Sequence, residues 1–121
     1  MANPNIVSVS SIYGKTVVDV DVAATASSLL TCGSNKLQKI NSLTIANIDG
    51  TNAATIDVWV SKGGTDNAYI AKTISVPADA TLVVIDKNLG LYLEETDILR
   101  LQAYSAGDLS AVCSYEELDD A

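Results

Sequence analysis

The chain alternates apolar and polar residues with period two almost from end to end, and glycine, proline, asparagine and aspartate punctuate the runs. Successive side chains on a strand point to opposite faces, so this pattern specifies half-buried strands and leaves no helical stripe of useful length. Val18, Val20 and Val22 alternate with Val17, Asp19 and Asp21 over residues 16–22. Residues 27–31 form a short second strand. Leu43, Ile45 and Asn47 define a face of residues 37–48, and Ile56, Val58 and Val60 define the next strand, with Asp57, Trp59 and Ser61 turned the other way. Ile70, Lys72, Ile74 and Val76 repeat the pattern, and Lys72 marks that strand as an edge or a wetted face. The continuous run at residues 81–85 predicts a strand covered on both sides. Leu99, Leu101 and Ala103, then Leu109, Ala111, Cys113 and Tyr115, close the series.

Turn chemistry fills the gaps. Asp49-Gly50 is a strong hairpin signal, Gly63-Gly64 a second, and Val76-Pro77-Ala78-Asp79 a third; Asn88-Leu89-Gly90 and Ala106-Gly107-Asp108 complete the set. About eight short strands with turns every ~8–12 residues predict an all-β, antiparallel β-sandwich, jelly-roll-like, of two four-stranded sheets. At 121 residues there is room for one core, a single domain over residues 15–121 preceded by an N-terminal arm over residues 1–14. The arm is expected to add an edge strand or reach a neighbour, and the acidic residues 116–121 to form a solvated tail.

Composition narrows the function classes. Seven Lys and Arg against fifteen Asp and Glu leave a net charge of −8, which repels phosphate backbones and argues against a nucleic-acid partner. The five tyrosines are scattered and build no stacking platform for bases. The expectation is a soluble protein without membrane span or secretory signal. Cys32 and Cys113 are too few for a disulfide framework and are expected as buried free thiols, with a disulfide or reactive pair as the alternative.

No catalytic constellation is expected. Without histidine there is no Ser-His-Asp triad, and no nucleophile elbow, S-x-x-K or phosphate loop occurs. Glu94, Glu95 and Asp97 cluster, with Asp79 and Asp86 nearby, but turns and strand ends are where carboxylates are easily solvated. A calcium site from Asp49, Asp66 or Asp79 lacks the required ligand spacing. The reading is therefore no enzyme, no cofactor and no metal. Trp59 is either a core residue or an exposed interface anchor. Ile6, Ile12 and Tyr13 of the arm, with Trp59 and Tyr69, are the candidate interface residues.

Four stretches, NIVSVSSIYGKT, KINSLTIANIDGTNAATIDVWV, YIAKTISVPADATLVVIDK and YLEETDILRLQAYSAGDLSAVCSYEEL, together resemble small virion structural proteins of tailed phages, especially marine and cyanobacterial ones. The resemblance implies a β-sandwich subunit serving as a capsid decoration (cement) protein, typically a homotrimer on the head, bridging major capsid protein subunits. A tail, neck or baseplate component, or a host-receptor or glycan-binding module on the virion surface, is the alternative. It implies synthesis in the host cytoplasm, a place on the virion, and no catalytic residues.

Overall fold

The computed structural model describes residues 11–119. They form nine strands: β1 (Ser11–Asp19), β2 (Ser27–Thr31), β3 (Lys36–Asn47), β4 (Ala54–Lys62), β5 (Asp66–Val76), β6 (Thr81–Ile85), β7 (Leu91–Leu93), β8 (Ile98–Ala103) and β9 (Leu109–Asp119). One sheet runs β1-β9-β3-β6, with β7 pairing the same edge of β3 beyond β6; the other runs β2-β8-β4-β5.

The pairings are nested. β1 pairs β9, β2 pairs β8, β3 pairs β6 and β7, and β4 pairs β5, all antiparallel. The chain is thus one long ribbon folded at the β4–β5 turn, where Gly63 and Gly64 take φ of 62° and 81°, a region glycine enters at little cost. Rolling the ribbon brings β9 beside β3 and β8 beside β4. This is a jelly roll, an all-β sandwich of the kind the alternation predicts. The ninth strand is β7, separated from β6 by residues 86–90.

The core lies between the sheets. Leu43 and Ile45 of β3, Ala111 and Cys113 of β9, Ile56 and Val58 of β4, and Leu99 and Leu101 of β8 are fully buried. Burying each larger aliphatic side chain contributes roughly 1.5–3 kcal/mol. Lys72 sits on β5, an edge strand, as its charge indicates.

Five expectations are corrected. The phase of β1 is opposite to the one predicted: Val17 turns inward opposite Cys113, while Val18 and Val20 face out. An Asx turn, in which Asp21 N–H donates to Asp19 Oδ1 at 3.1 Å, ends the strand and returns Val22 to the core. Asp49-Gly50 is not a hairpin but a crossing from β3 in one sheet to β4 in the other, as is the proline turn between β5 and β6. Asp49 Oδ1 accepts the N–H groups of Thr51 and Asn52, and the buried Asn47 amide donates to the carbonyls of Asn52 and Val76, so the loop is capped locally and leaves the sheet. β6 is covered on one side only, since Val83 is exposed. Residues 116–119 are no free tail but the end of β9: Glu117 is buried, held by Lys15 Nζ at 2.7 Å and Gln38 Nε2 at 3.0 Å. Residues 11–14 lie within β1, so that strand spans the proposed boundary between arm and domain.

Candidate functional site

The outer face of the β1-β9-β3-β6 sheet follows from the register. Val18, Val112, Thr44 and Val83 stand in one row across its four strands. A row above holds Ser110, Ala46 and Thr81, and a row below holds Thr16, Ser114 and Ser42. These ten positions carry no charge, in a chain whose net charge is −8. Val18, Val112 and Val83 are 55 %, 42 % and 57 % exposed. Val20, two residues past Val18, and Ile48, two past Ala46, are also exposed and extend the apolar character. Below the face the charges resume with Glu116 opposite Lys39.

The outer face of the other sheet is built differently. Two register shifts between β4 and β5 insert extra residues in β5 beside Asp57 and Trp59. At the first, Thr73 takes φ of 53°, a costly conformation for a β-branched residue. The buried Asp57 carboxylate stabilises it: Oδ1 accepts Thr73 N–H at 2.7 Å and Oδ2 accepts Lys72 Nζ at 3.3 Å. That contact raises the Lys72 pKa above its ordinary value. The Lys72 ammonium also lies 4.8 Å from the Tyr69 ring centroid, and Trp59 backs the same ring at 5.3 Å. Thr73 Oγ1 and Tyr104 Oη are hydrogen-bonded at 3.0 Å. Between these groups lies an open cleft of about 330 Å³, floored by Asp57, Gln102 and Ala103.

The five candidate interface residues do not form one patch. Ile12 and Tyr13 sit on β1, both exposed, with Ile12 on the outer face and Tyr13 on the alternate one beside Glu117. Trp59 and Tyr69 are cross-strand partners on the other sheet. Ile6 lies outside the described residues. Trp59 is 5 % exposed, so it is a packed support under Tyr69 and not an exposed anchor. The acidic cluster is structural where Asp97 is concerned: its buried carboxylate accepts Gly63 N–H, Glu94 N–H and Lys62 Nζ. No group of three His, Cys, Asp or Glu side chains able to hold a metal occurs among the described residues. Cys32 and Cys113 are buried and unpaired.

Sequence reasoning missed the uncharged face and the roles of Asp57 and Tyr104. A signal for the face existed: Val17-Val18 and Leu82-Val83 are apolar in both phases, as a strand covered on two sides would be.

No protein-family model matches the chain, and no curated protein matches it either. Solved structures are similar in fold. A chain of the disulfide-linked pili that form Bacillus endospore appendages superposes with a TM-score of 0.54 at 17 % identity, covering 92 % of this chain and 90 % of that one. A chain of infectious bursal disease virus, Gx strain, gives a TM-score of 0.49 at 11 % identity over 91 % of this chain and 32 % of its own. A pentameric capsid protein from metagenomic phage sequences gives 0.41 at 17 % identity over 85 % and 60 %.

Proposed function

We propose that this chain is a structural, non-catalytic subunit of a phage virion, seated on the capsid as a decoration protein. The observation that carries the reading is the uncharged face of the β1-β9-β3-β6 sheet, which sets ten neutral side chains against an otherwise acidic chain. A flat face of valine, threonine, serine and alanine can lie against another protein without stranding a charge in the interface. At ~4.8 Å between strands and ~6.8 Å between same-face residues, the ten positions present roughly 330 Å². That is about two fifths of a standard ~800 Å² contribution per partner, so single contacts are weak and repetition over a lattice makes them strong. The resemblance to small virion proteins supports the same reading, with the major capsid protein as partner and a homotrimer as the assembled form.

A disulfide-linked assembly like that of the pili fits this chain poorly. Burial pushes the Cys32 thiol up to about 11 and the Cys113 thiol up to about 12, so neither supplies thiolate at neutral pH. Immunogold labelling of intact particles tests the proposal. Label over the head is expected, and Val112→Lys protein should fold normally and fail to bind decoration-free heads. Label confined to tail or neck would move the subunit there, and unlabelled particles would overturn the virion reading.

A further inference from the structure

We infer that the cleft between Tyr69 and Tyr104, on the sheet face opposite the uncharged one, is a binding site for a neutral saccharide. Tyr69 and Tyr104 are 49 % and 52 % exposed, so each offers ring surface and a hydroxyl to solvent at the rim. The cleft volume of about 330 Å³ lies at the small end of the ~300–1,000 Å³ typical of ligand sites and admits a mono- or disaccharide.

The site is held in advance of any ligand. Trp59 fixes Tyr69 from behind. The Thr73 hydroxyl ties down Tyr104, and Thr73 is itself kept in a left-handed conformation by the buried Asp57. Gln102 Nε2 donates to the Ala24 carbonyl at 3.1 Å, which orients the amide and leaves Oε1 as an acceptor. Thr73 is one of four non-glycine residues with positive φ, with Asn35, Asp79 and Thr96, and it is the one whose hydroxyl reaches the cleft through Tyr104.

The lining chooses the ligand class. Asp57 and Lys72 neutralise each other, which gives no net attraction to an anion or a cation. A peptide strand adding to the β5 edge would meet the irregular backbone of the two register shifts. Aromatic faces with amide, hydroxyl and ammonium groups at their edges match a ring that presents C–H on its faces and hydroxyls around its rim. This inference rests on the cleft alone and is independent of the virion reading.

The test presents the full chain tetravalently on streptavidin to a printed glycan array, followed by titration of the best glycan while Trp59 fluorescence is read. Binding to at least one neutral glycan is expected, with a loss of tenfold or more in Tyr104→Ala and in Gln102→Leu. Tyr104 is exposed and Gln102 half-buried, and a melting curve for each variant confirms that it is folded at the temperature of the titration. Val112→Lys, on the opposite face, should bind as wild type. No binding to any neutral glycan, or binding unaffected by both cleft substitutions, would overturn the inference. So would displacement of Trp59 fluorescence by a proline-rich peptide when no glycan has that effect.

Discussion

Asp97 offers the sharpest check of the physical reading, because one carboxylate joins two turns at the same end of the sandwich. Its Oδ1 accepts Gly63 N–H at 2.9 Å in the β4–β5 turn, and its Oδ2 accepts Glu94 N–H at 2.9 Å and Lys62 Nζ at 2.7 Å. Asp97→Ala leaves two backbone donors without their acceptor, at about 1–2 kcal/mol each, and removes an ion pair with an exposed lysine that adds less than ~1 kcal/mol. The expected loss is about 3 kcal/mol, or a fall of about 10 °C in Tm for a domain of this size. Asp97→Asn keeps one acceptor for Gly63 and turns an amide N–H₂ toward Glu94 N–H and Lys62, so it should cost about 2 kcal/mol. Urea unfolding followed by circular dichroism measures both.

The pH dependence of Asp97 has a definite sign. Burial opposes ionisation, but Lys62 and the Gly63 and Glu94 N–H groups outweigh it and hold the carboxyl below its ordinary 3.8. A depressed folded value means the contribution is complete above pH ~3.8 and is lost as pH falls further. The hydrogen bonds from Lys62 to Asp97 and then Glu94 raise its pKa above 10.5, so that contribution holds below 10.5 and is lost at higher pH. The difference between wild type and Asp97→Asn should therefore be flat from pH 5 to 9 and shrink between pH 4 and 2. An Asp97→Ala cost under 1 kcal/mol at pH 7, or a difference that does not shrink in acid, would refute the assignment.

Three further outcomes follow from the same geometry. Thr73→Gly relieves the positive φ at an unfolded-state cost of about 1 kcal/mol, so stability should change by less than ~1 kcal/mol in either direction while the tether to Tyr104 is lost; a calorimetric loss above 2 kcal/mol would show that the side chain, and not the backbone conformation, matters there. Cys32 and Cys113 should resist a thiol-reactive disulfide reagent at pH 8 in the native protein and react rapidly in urea; stoichiometric native labelling would contradict their burial. Val112→Lys should shift Tm by no more than about 2 °C, whereas Ala111→Lys, one residue away and buried, should prevent folding; equal effects would mean the β9 phase is misassigned.

Much of the fold was readable because period-two patterning fixes where strands are. Residues 27–31 and 81–85 were bounded as they form, and the Gly63-Gly64 turn was placed where the β4–β5 hairpin of the ribbon lies. Phase was harder. Alternation tells which residues share a face, but not which face is inward when both are apolar, as at Val17-Val18 and Leu82-Val83. Asp49-Gly50 misled because local turn chemistry is the same whether a chain returns to its own sheet or crosses to the other, and the deciding contact, Asn47 to the Val76 carbonyl, spans 29 residues. The cleft was not readable for a similar reason. Asp57, Tyr69 and Tyr104 come from β4, from β5 and from the residue after β8, and only the register shifts of β5 bring Thr73 against both Asp57 and Tyr104.

The two surfaces impose a geometry on each other. Two sheets packed ~10 Å apart in a sandwich have outer faces that look in opposite directions. A subunit that lies on a support through Val18, Val112 and Val83 therefore turns Tyr69 and Tyr104 away from it. Neither function competes for the other's residues, and occupancy of one face leaves the other open. Attachment also changes the energetics of the cleft. A single shallow site of this size binds weakly, but an array of subunits spaced by a lattice converts weak sites into avid ones without any new contact. Retention on a surface coated with the saccharide should then be at least a hundredfold greater for assembled particles than for the free subunit, and fall to the free-subunit level when the lattice is dissociated. Retention by particles below that of the free subunit would mean that the cleft is covered in the assembly, and that the uncharged face is not the one that docks.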